Sequence, residues 1–212
     1  MLNRILMIHH LFNIRLNPTN SIALDLSASN ADLHADIFSN IEAFSDYIDA
    51  KLNGKIGYGG YLENRVIYEA HDNFATDTAD FRNIHLGVDF WTKAGTEVFA
   101  PLDGVVHSFQ VNPGSGNYGP TIILFHPKEQ IYSLYGHLAS ADLAHLQIGD
   151  TIAQGQKLCH LGEAHENGNW PPHLHFQLIR DMQGMTGDYP GVCSQRDVDF
   201  YRDNCPDPRG VI

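Results

Sequence analysis

Short apolar runs, separated by turn residues, recur through the middle and later parts of the chain. In residues 173–179 the apolar Leu174, Phe176 and Leu178 alternate with more polar neighbours, as in a half-buried β-strand. Several such runs follow one another at regular spacing without a helical pattern between them, which predicts an antiparallel sheet system. The predicted strands are 85–91, 97–100, 104–111, 119–126, 131–137, 157–161 and 173–179.

One long stretch near the N-terminus has the spacing of a helix. Apolar residues recur every three or four positions from Leu33 to Leu52, Ser29 or Asn30 can cap the start, and Gly54 supplies the stop. Alternation over residues 21–26 predicts an edge strand before this helix. The expected fold class is therefore mainly β (α+β), with an antiparallel β-sheet core and an N-terminal helix.

These patterns divide the chain into four segments. Residues 1–28 are predicted to be an N-terminal extension and 29–66 a helical accessory segment, followed by a β-rich domain over 67–183 and a C-terminal tail over 184–212. With 212 residues, of which 43% are hydrophobic, the chain can bury one good core and a small accessory subdomain.

Composition narrows the partners and the compartment. The net charge of -12 argues against nucleic acid and against an anionic membrane surface, because both bind clustered Lys and Arg. The three cysteines do not indicate a disulfide framework, although Cys193 and Cys205 could pair in an oxidising compartment. Polar residues interrupt the apolar ones of residues 1–16 too often for a signal peptide or a membrane span, so the default expectation is the cytoplasm.

Two compact motifs carry candidate metal chemistry. His85 and Asp89 form one, and His173 and His175, two apart on one strand face with Cα atoms about 6.6 Å apart, form the other. Two imidazoles and a carboxylate are the ligand set of a catalytic zinc, which keeps a fourth position for water or substrate. On a straight strand His85 and Asp89 would lie about 13 Å apart. The backbone must therefore bend between them, and Gly87 tolerates such a bend.

A third motif lies between these two in the sequence. Tyr135 and His137 are two apart in the predicted strand 131–137, which places a phenol and an imidazole on one face. Tyr118 and Trp170 stand in stretches rich in glycine and proline, and both are candidates for the walls of a substrate groove. Tyr135, Tyr118 and Trp170 are accordingly predicted to contact substrate.

The three motifs together resemble those of the lysostaphin-like (LytM-type) zinc endopeptidases. That family has a His-x-x-x-Asp motif, a Gly-His-Leu stretch and a terminal His-x-His, and all three occur here in that order within residues 82–179. The resemblance implies the lysostaphin-like peptidase fold, with its duplicated hybrid motif. It also implies a zinc-dependent endopeptidase that hydrolyses peptide bonds in peptidoglycan cross-links or related short peptides.

The resemblance also assigns roles to single residues. It implies three Zn²⁺ ligands: His85, Asp89 and His175. It implies two catalytic histidines, His137 and His173. Mechanistic reasoning agrees, since a cation held by such ligands makes hydroxide available near neutral pH. His173 would then take the proton of the attacking water and pass it to the departing amine. His137, with Tyr135 as a weaker candidate, would hydrogen-bond the oxyanion.

Two other interpretations are open. Two histidines and a carboxylate also hold iron(II) in oxygenases, although there the first histidine and the carboxylate usually lie two apart and not four. Residues 98–106 and 148–161 resemble half-motifs of lipoyl and biotinyl carriers, a non-catalytic module, but no lysine occupies the required hairpin tip. The long flanks resemble versions of the peptidase domain embedded beside aminotransferase and phosphotransferase domains, which implies association with other enzyme domains and leaves the oligomeric state open.

Overall fold

Strands make up most of the regular structure in residues 9–38, 40–70, 74–75 and 81–210, the part of the chain that this computed structural model describes. In chain order the strands are β1 (Ser21–Ala23), β2 (Ile56–Gly59), β3 (Arg82–His85), β4 (Val88–Trp91), β5 (Glu97–Phe99), β6 (Gly104–Asn112), β7 (Gly119–His126), β8 (Ile131–Gly136), β9 (Thr151–Ile152), β10 (Lys157–His160), β11 (His173–Ile179) and β12 (Val192–Ser194).

The main sheet contains eight strands in the order β1-β2-β4-β11-β8-β7-β6-β9. The edge pair β1 and β2 is parallel, and the other neighbours in this sheet are antiparallel. Two small antiparallel sheets, β5 with β10 and β3 with β12, complete the architecture. The prediction of a mainly β fold with an antiparallel core is confirmed.

The predicted strand 85–91 is two strands in two different sheets. β3 ends at His85 and pairs with β12, whereas β4 begins at Val88 and pairs with β2 and β11. The chain bends at Gly87 between them, so the bend that the sequence required is present. β2 lies inside the segment predicted to be a helical accessory, yet it pairs with β4 and so belongs to the main sheet.

Helix α1 (Ile41–Leu52) starts later than its apolar spacing predicted. Asn40 is its N-cap, with Oδ1 accepting a hydrogen bond of 2.8 Å from the Ala43 amide. The predicted cap Asn30 also accepts from the Asp32 amide, at 3.0 Å, but the chain after it forms a turn and a short 3-10 helix (Ala35–Phe38), and the α-helix begins only after Asn40. The predicted end is correct, because Asn53 at φ 46° follows Leu52 as a left-handed C-cap.

Three clusters of buried apolar residues hold these elements together. The largest lies against the main sheet, the second beneath the C-terminal residues, and the third beneath α1, whose Phe44 packs edge-on against Trp91 of β4 at 5.8 Å between ring centroids. The predicted C-terminal tail (184–212) includes α3 (Val198–Asn204), and a short α2 (Ser140–Leu143) follows β8.

The three cysteines are buried thiols that form no disulfide. Within the described part of the chain, no helix combines the length and the apolar character needed to cross a bilayer.

Candidate metal centre

The two sequence motifs meet where β3, β4 and β11 converge. β4 and β11 are antiparallel neighbours whose register places His175 opposite Asp89, and opposed residues of such strands lie side by side on one face. His85 ends β3, and the bend at Gly87 returns the chain so that His85 reaches the same point. Gly87 also leaves room for a ligand ring, because a Cβ there would lie 2.7 Å from His175 Nε2.

Three potential ligand atoms lie within bonding distance of one common point. His85 Nε2 is 2.9 Å from His175 Nδ1 and 3.3 Å from Asp89 Oδ1, and His175 Nδ1 is 3.2 Å from the same oxygen. Ligands at about 2.0–2.1 Å from a tetrahedral zinc lie about 3.3–3.4 Å from one another. The triangle formed by these three atoms therefore fits such an ion with only a small expansion.

The hydrogen bonds of the two rings show which nitrogen carries the proton. His85 Nδ1 donates to the Gly60 carbonyl at 2.9 Å, and His175 Nε2 donates to Gln177 Oε1 at 2.8 Å. Each neutral ring therefore turns a lone pair towards Asp89 Oδ1. No group of the described residues donates a hydrogen bond to that buried oxygen. Three lone-pair atoms facing one another repel unless a cation lies between them, so the residues present fit a divalent metal.

The electrostatics of the site favour the metal-binding forms of its residues. Burial would raise the pKa of the Asp89 carboxyl, but the positive charge of Arg65 outweighs it and holds that pKa well below its ordinary value. Arg65 Nη1 lies 2.6 Å from Asp89 Oδ2. Burial and the same guanidinium lower the pKa of His85 to about 4. A carboxylate and neutral imidazoles are the forms in which these side chains bind metals.

The other two predicted histidines lie beside this triangle. His173 Nδ1 donates to the Pro171 carbonyl at 2.8 Å, and His137 Nδ1 donates to the Asn167 carbonyl at 2.7 Å. Their ring centroids are 4.1 Å apart, and His173 Nε2 is 4.0 Å from Asp89 Oδ1. Burial lowers the pKa of His173 to about 4, and burial together with the nearby His173 lowers the pKa of His137 well below its ordinary value. Both rings are neutral, with Nε2 able to accept a proton.

A cavity of about 330 Å³ opens over these side chains, and aromatic residues form much of its wall. Tyr118 and Trp170, predicted as groove walls, both line it, and the Tyr118 hydroxyl is 3.4 Å from His175 Nε2. Trp91 lies parallel to the His173 ring, with centroids 4.0 Å apart, and so fixes its plane. The wall supplies flat apolar surface around a small group of polar atoms, as ligand sites commonly do.

Tyr135 is the exception among the predicted site residues. Its side chain is fully buried in the main core, its hydroxyl accepts a hydrogen bond of 3.1 Å from Ser133, and its ring packs against Phe176. The expectation that it shares a face with His137 fails because β8 ends at Gly136 and His137 adopts φ 65°. Alternation along a strand does not extend past such a turn.

Several residues that orient the site were not anticipated from the sequence. Gln177 stands two positions after His175 on β11, so strand alternation alone could have placed it on the same face. Gly60, Arg65 and Asn167 are distant in sequence from the residues they contact, and no local pattern marks them.

Comparison with known proteins agrees with the resemblance. Residues 83–186 match the family model described as Peptidase family M23. A segment of 113 residues is 31% identical to a protein of Haemophilus influenzae described as an uncharacterized metalloprotease. The aligned segment covers 52% of this chain and 22% of that protein. The resemblance to metallopeptidases of the lysostaphin type is thereby confirmed over this segment.

Two solved structures are also similar to part of this chain. A zinc containing peptidase from Vibrio cholerae is 27% identical over 46% of this chain and 28% of its own, with a TM-score of 0.37. The catalytic domain of lysostaphin from Staphylococcus simulans is 25% identical over 72% of this chain and 96% of its own, with a TM-score of 0.38. The chain thus spans less than a third of the Haemophilus and Vibrio relatives.

Proposed function

We propose that this chain, whose residues 83–186 match Peptidase family M23, is a zinc-dependent endopeptidase. One observation carries the proposal: His85 Nε2, His175 Nδ1 and Asp89 Oδ1 turn three lone-pair sites towards one point at separations of 2.9–3.3 Å. This arrangement is costly in the absence of a cation and suits a tetrahedral one. The peptidase domain over residues 67–183 is part of this proposal, and the family match over 83–186 overlaps most of that range.

His85, Asp89 and His175 would hold the zinc, and His137 and His173 would act beside it. A zinc ion in this place supplies a Lewis acid that polarises a peptide carbonyl and makes water easier to deprotonate near neutral pH. The donor set supports zinc because imidazole and carboxylate in a three-ligand arrangement are typical of its catalytic sites.

His173 is assigned to proton transfer. Its Nδ1 hydrogen is held by the Pro171 carbonyl and its plane by Trp91, so Nε2 stays free to accept a proton from the attacking water. The same nitrogen returns that proton to the departing amine. General acid–base assistance of this kind is typically worth about 10²- to 10⁴-fold in rate.

His137 is assigned to the oxyanion. Because Nδ1 of its neutral ring already donates to Asn167, Nε2 has no hydrogen until the ring gains a proton. With the His173 ring centroid only 4.1 Å away, a proton on one ring disfavours a second proton on the other. The pair therefore carries one added proton, the one taken from the attacking water. His173 holds this proton during transfer from the water and to the amine, and His137 donates to the oxyanion while the proton is on its own Nε2.

The substrate class follows from the resemblance and the shape of the cavity. A cavity of about 330 Å³ with Tyr118 and Trp170 on its wall accommodates a short peptide with small side chains. Peptidoglycan cross-links and related glycine- or D-alanine-containing peptides meet that description and are the substrates that the lysostaphin-like resemblance implies.

The test is to reconstitute metal-free protein with one equivalent of zinc. It is then incubated with purified peptidoglycan and, separately, with short glycine- and D-alanine-containing peptides, and new amino groups are counted with an amine-reactive reagent. The zinc form should release amines, whereas the metal-free form and His173→Ala protein should not. Release of no amine from any of these substrates would contradict the proposal.

The iron(II) alternative has a separate test, which is metal analysis of protein purified without added ions. Zinc is expected at one ion per chain, and iron together with turnover of 2-oxoglutarate would support the oxygenase reading instead. The carrier-module alternative gains nothing from the site, because a lipoyl or biotinyl module has no use for the convergent histidines.

A further inference from the structure

A buried arginine from outside the family-matched segment lies against the carboxylate of the proposed metal site. Arg65 is 3% exposed, and its Nη1 lies 2.6 Å from Asp89 Oδ2. Its Nε lies 2.6 Å from Glu63 Oε2, and Nη1 also donates to the Tyr68 hydroxyl at 3.3 Å. The match to Peptidase family M23 begins at residue 83, so Arg65 belongs to a part of this chain that the family model does not include.

The guanidinium is fixed by the backbone as well as by its partners. The 60–65 segment lies alongside β3, with the Arg65 amide donating to the Asn83 carbonyl at 2.9 Å and the His85 amide donating to the Glu63 carbonyl at 2.9 Å. The other carboxylate oxygen of Glu63 accepts from the Leu26 amide at 3.1 Å. Arg65 is thus held at both ends of its side chain, which makes the position of the guanidinium well defined.

Gly60, the first residue of the 60–65 segment, serves both the arginine and a ligand histidine. Its carbonyl accepts the hydrogen bond from His85 Nδ1. Its backbone has φ 103°, and a Cβ there would collide with the Arg65 guanidinium and lie 2.9 Å from His85 Nδ1. The 60–65 segment therefore contacts two of the three proposed ligands from the side away from the metal.

We propose that Arg65 is a positioning residue that restricts Asp89 to binding the metal through Oδ1 alone and so keeps a coordination position open. This inference rests on the proposed function. A carboxylate can bind a metal with one or with both oxygens, and a charge-assisted hydrogen bond of 2.6 Å on Oδ2 withdraws that oxygen from the metal. Only Oδ1 then faces the lone pairs of His85 and His175.

The position of the ion pair favours this role over simple stabilisation of the fold. The cost of removing two charges from water largely offsets their attraction inside a protein, so a buried ion pair is weak evidence for stability. Partners in the outer shell of a metal site, in contrast, commonly alter metal affinity by about 10- to 100-fold. Arg65 contacts the metal-binding carboxylate directly, and its orientation affects which oxygen is available.

The experiment uses cobalt(II) in place of zinc, because its visible absorption reports coordination number. Four-coordinate cobalt absorbs strongly, and five- or six-coordinate cobalt absorbs weakly. The variants are Arg65→Met and, as a matched control, Arg202→Met, which removes an exposed arginine whose Nη1 lies 2.7 Å from Asp199. Zinc affinity is measured in parallel by competition with a chromophoric chelator.

Wild-type protein and Arg202→Met should bind one cobalt with strong absorption. Arg65→Met should lose absorption per bound cobalt, because Oδ2 joins the metal and raises its coordination number above four. Its zinc affinity should differ from that of wild type by about 10- to 100-fold. Because Arg65→Met leaves the Glu63 carboxylate buried without its partner, the double variant Arg65→Met/Glu63→Gln is tested as well, and circular dichroism establishes that each variant is folded.

The outcomes separate the two proposals. A folded Arg65→Met protein, or the folded double variant, with the cobalt spectrum and zinc affinity of wild type would overturn the role of Arg65 and leave the metal site standing. Wild-type protein that binds neither cobalt nor zinc would overturn the proposed function itself, and the role of Arg65 with it.

Discussion

Replacing Gly87 by alanine introduces one methyl group at the tightest point of the proposed metal site. The added Cβ would lie 2.7 Å from His175 Nε2, 2.8 Å from His175 Cε1 and 2.8 Å from the Phe176 carbonyl oxygen. Ordinary contacts between carbon and its neighbours are about 3.5–4.0 Å, so the ring must retreat by about 0.7 Å or more. The Phe176 backbone cannot retreat in its place, because β11 is hydrogen-bonded to β4 on one side and β8 on the other.

The expected cost follows from this geometry. Overpacking by one methyl group typically costs about 1–3 kcal/mol, and a folded protein relieves it by moving the His175 ring. The distance from a ligand atom to the metal tolerates a change of only about 0.2 Å. To bind zinc, the His175 ring must therefore return to its original position, where it is strained against the added methyl group. If the full strain energy of about 1–3 kcal/mol returns when zinc binds, zinc affinity falls about 5- to 160-fold.

The assay is competition for zinc with a chromophoric chelator, with circular dichroism to establish that the variant is folded. Gly210→Ala is the matched control, since a Cβ at Gly210 would have no atom within 4 Å among the described residues. Gly87→Ala protein that is folded and binds zinc as tightly as Gly210→Ala would refute the reasoning about the space beside His175.

Three further predictions follow from the same site. His85→Ala should lower zinc affinity by more than about 100-fold, as metal analysis would show. His173→Ala and His137→Ala should keep zinc and lose about 10²-fold or more in turnover, measured by amine release. Full activity in His137→Ala would remove that residue from the mechanism. Gln177→Leu removes the acceptor of His175 Nε2 and should lower zinc affinity about 10- to 100-fold in the chelator competition, and an unchanged affinity would argue against an orienting role. His85 and His173 have pKa values of about 4 in the folded protein against 6.5 when unfolded, so the unfolded chain binds more protons between these pH values and the metal-free protein loses stability as the pH falls. From pH 7 to pH 5 the loss should be about 2 kcal/mol for each ring, measured by urea denaturation, and equal free energies of unfolding at the two pH values would contradict it.

The sequence predicted the position of a site residue where that position depends on its spacing from a nearby residue in the chain. Alternation in 173–179 indicated that His173 and His175 share a strand face, and the four-residue separation of His85 and Asp89 required a bend that the structure places at Gly87. Both arguments depend only on distances along a short stretch of the backbone, which is why they hold without knowledge of the rest of the fold.

Other features depend on contacts that local spacing does not encode. The apolar stripe predicted a helix from about residue 30, but the helix starts at Ile41 with Asn40 as its N-cap. Asn30 and Asn40 both accept a hydrogen bond of the kind an N-cap makes, so this local signal does not distinguish the two starts. The positive φ of His137 ended the alternation on which the placement of Tyr135 relied. Arg65 reaches Asp89 across 24 residues of sequence, a pairing that only the folded chain reveals.

The central claim is that His85, Asp89 and His175 hold one zinc ion and leave a coordination position open. The most direct test is a crystal structure of the zinc-loaded protein with anomalous data collected on both sides of the zinc edge. One peak specific to zinc is expected about 2.0–2.1 Å from His85 Nε2, His175 Nδ1 and Asp89 Oδ1. No peak at this position, or a peak bound by a fourth protein side chain that closes the site, would contradict the account.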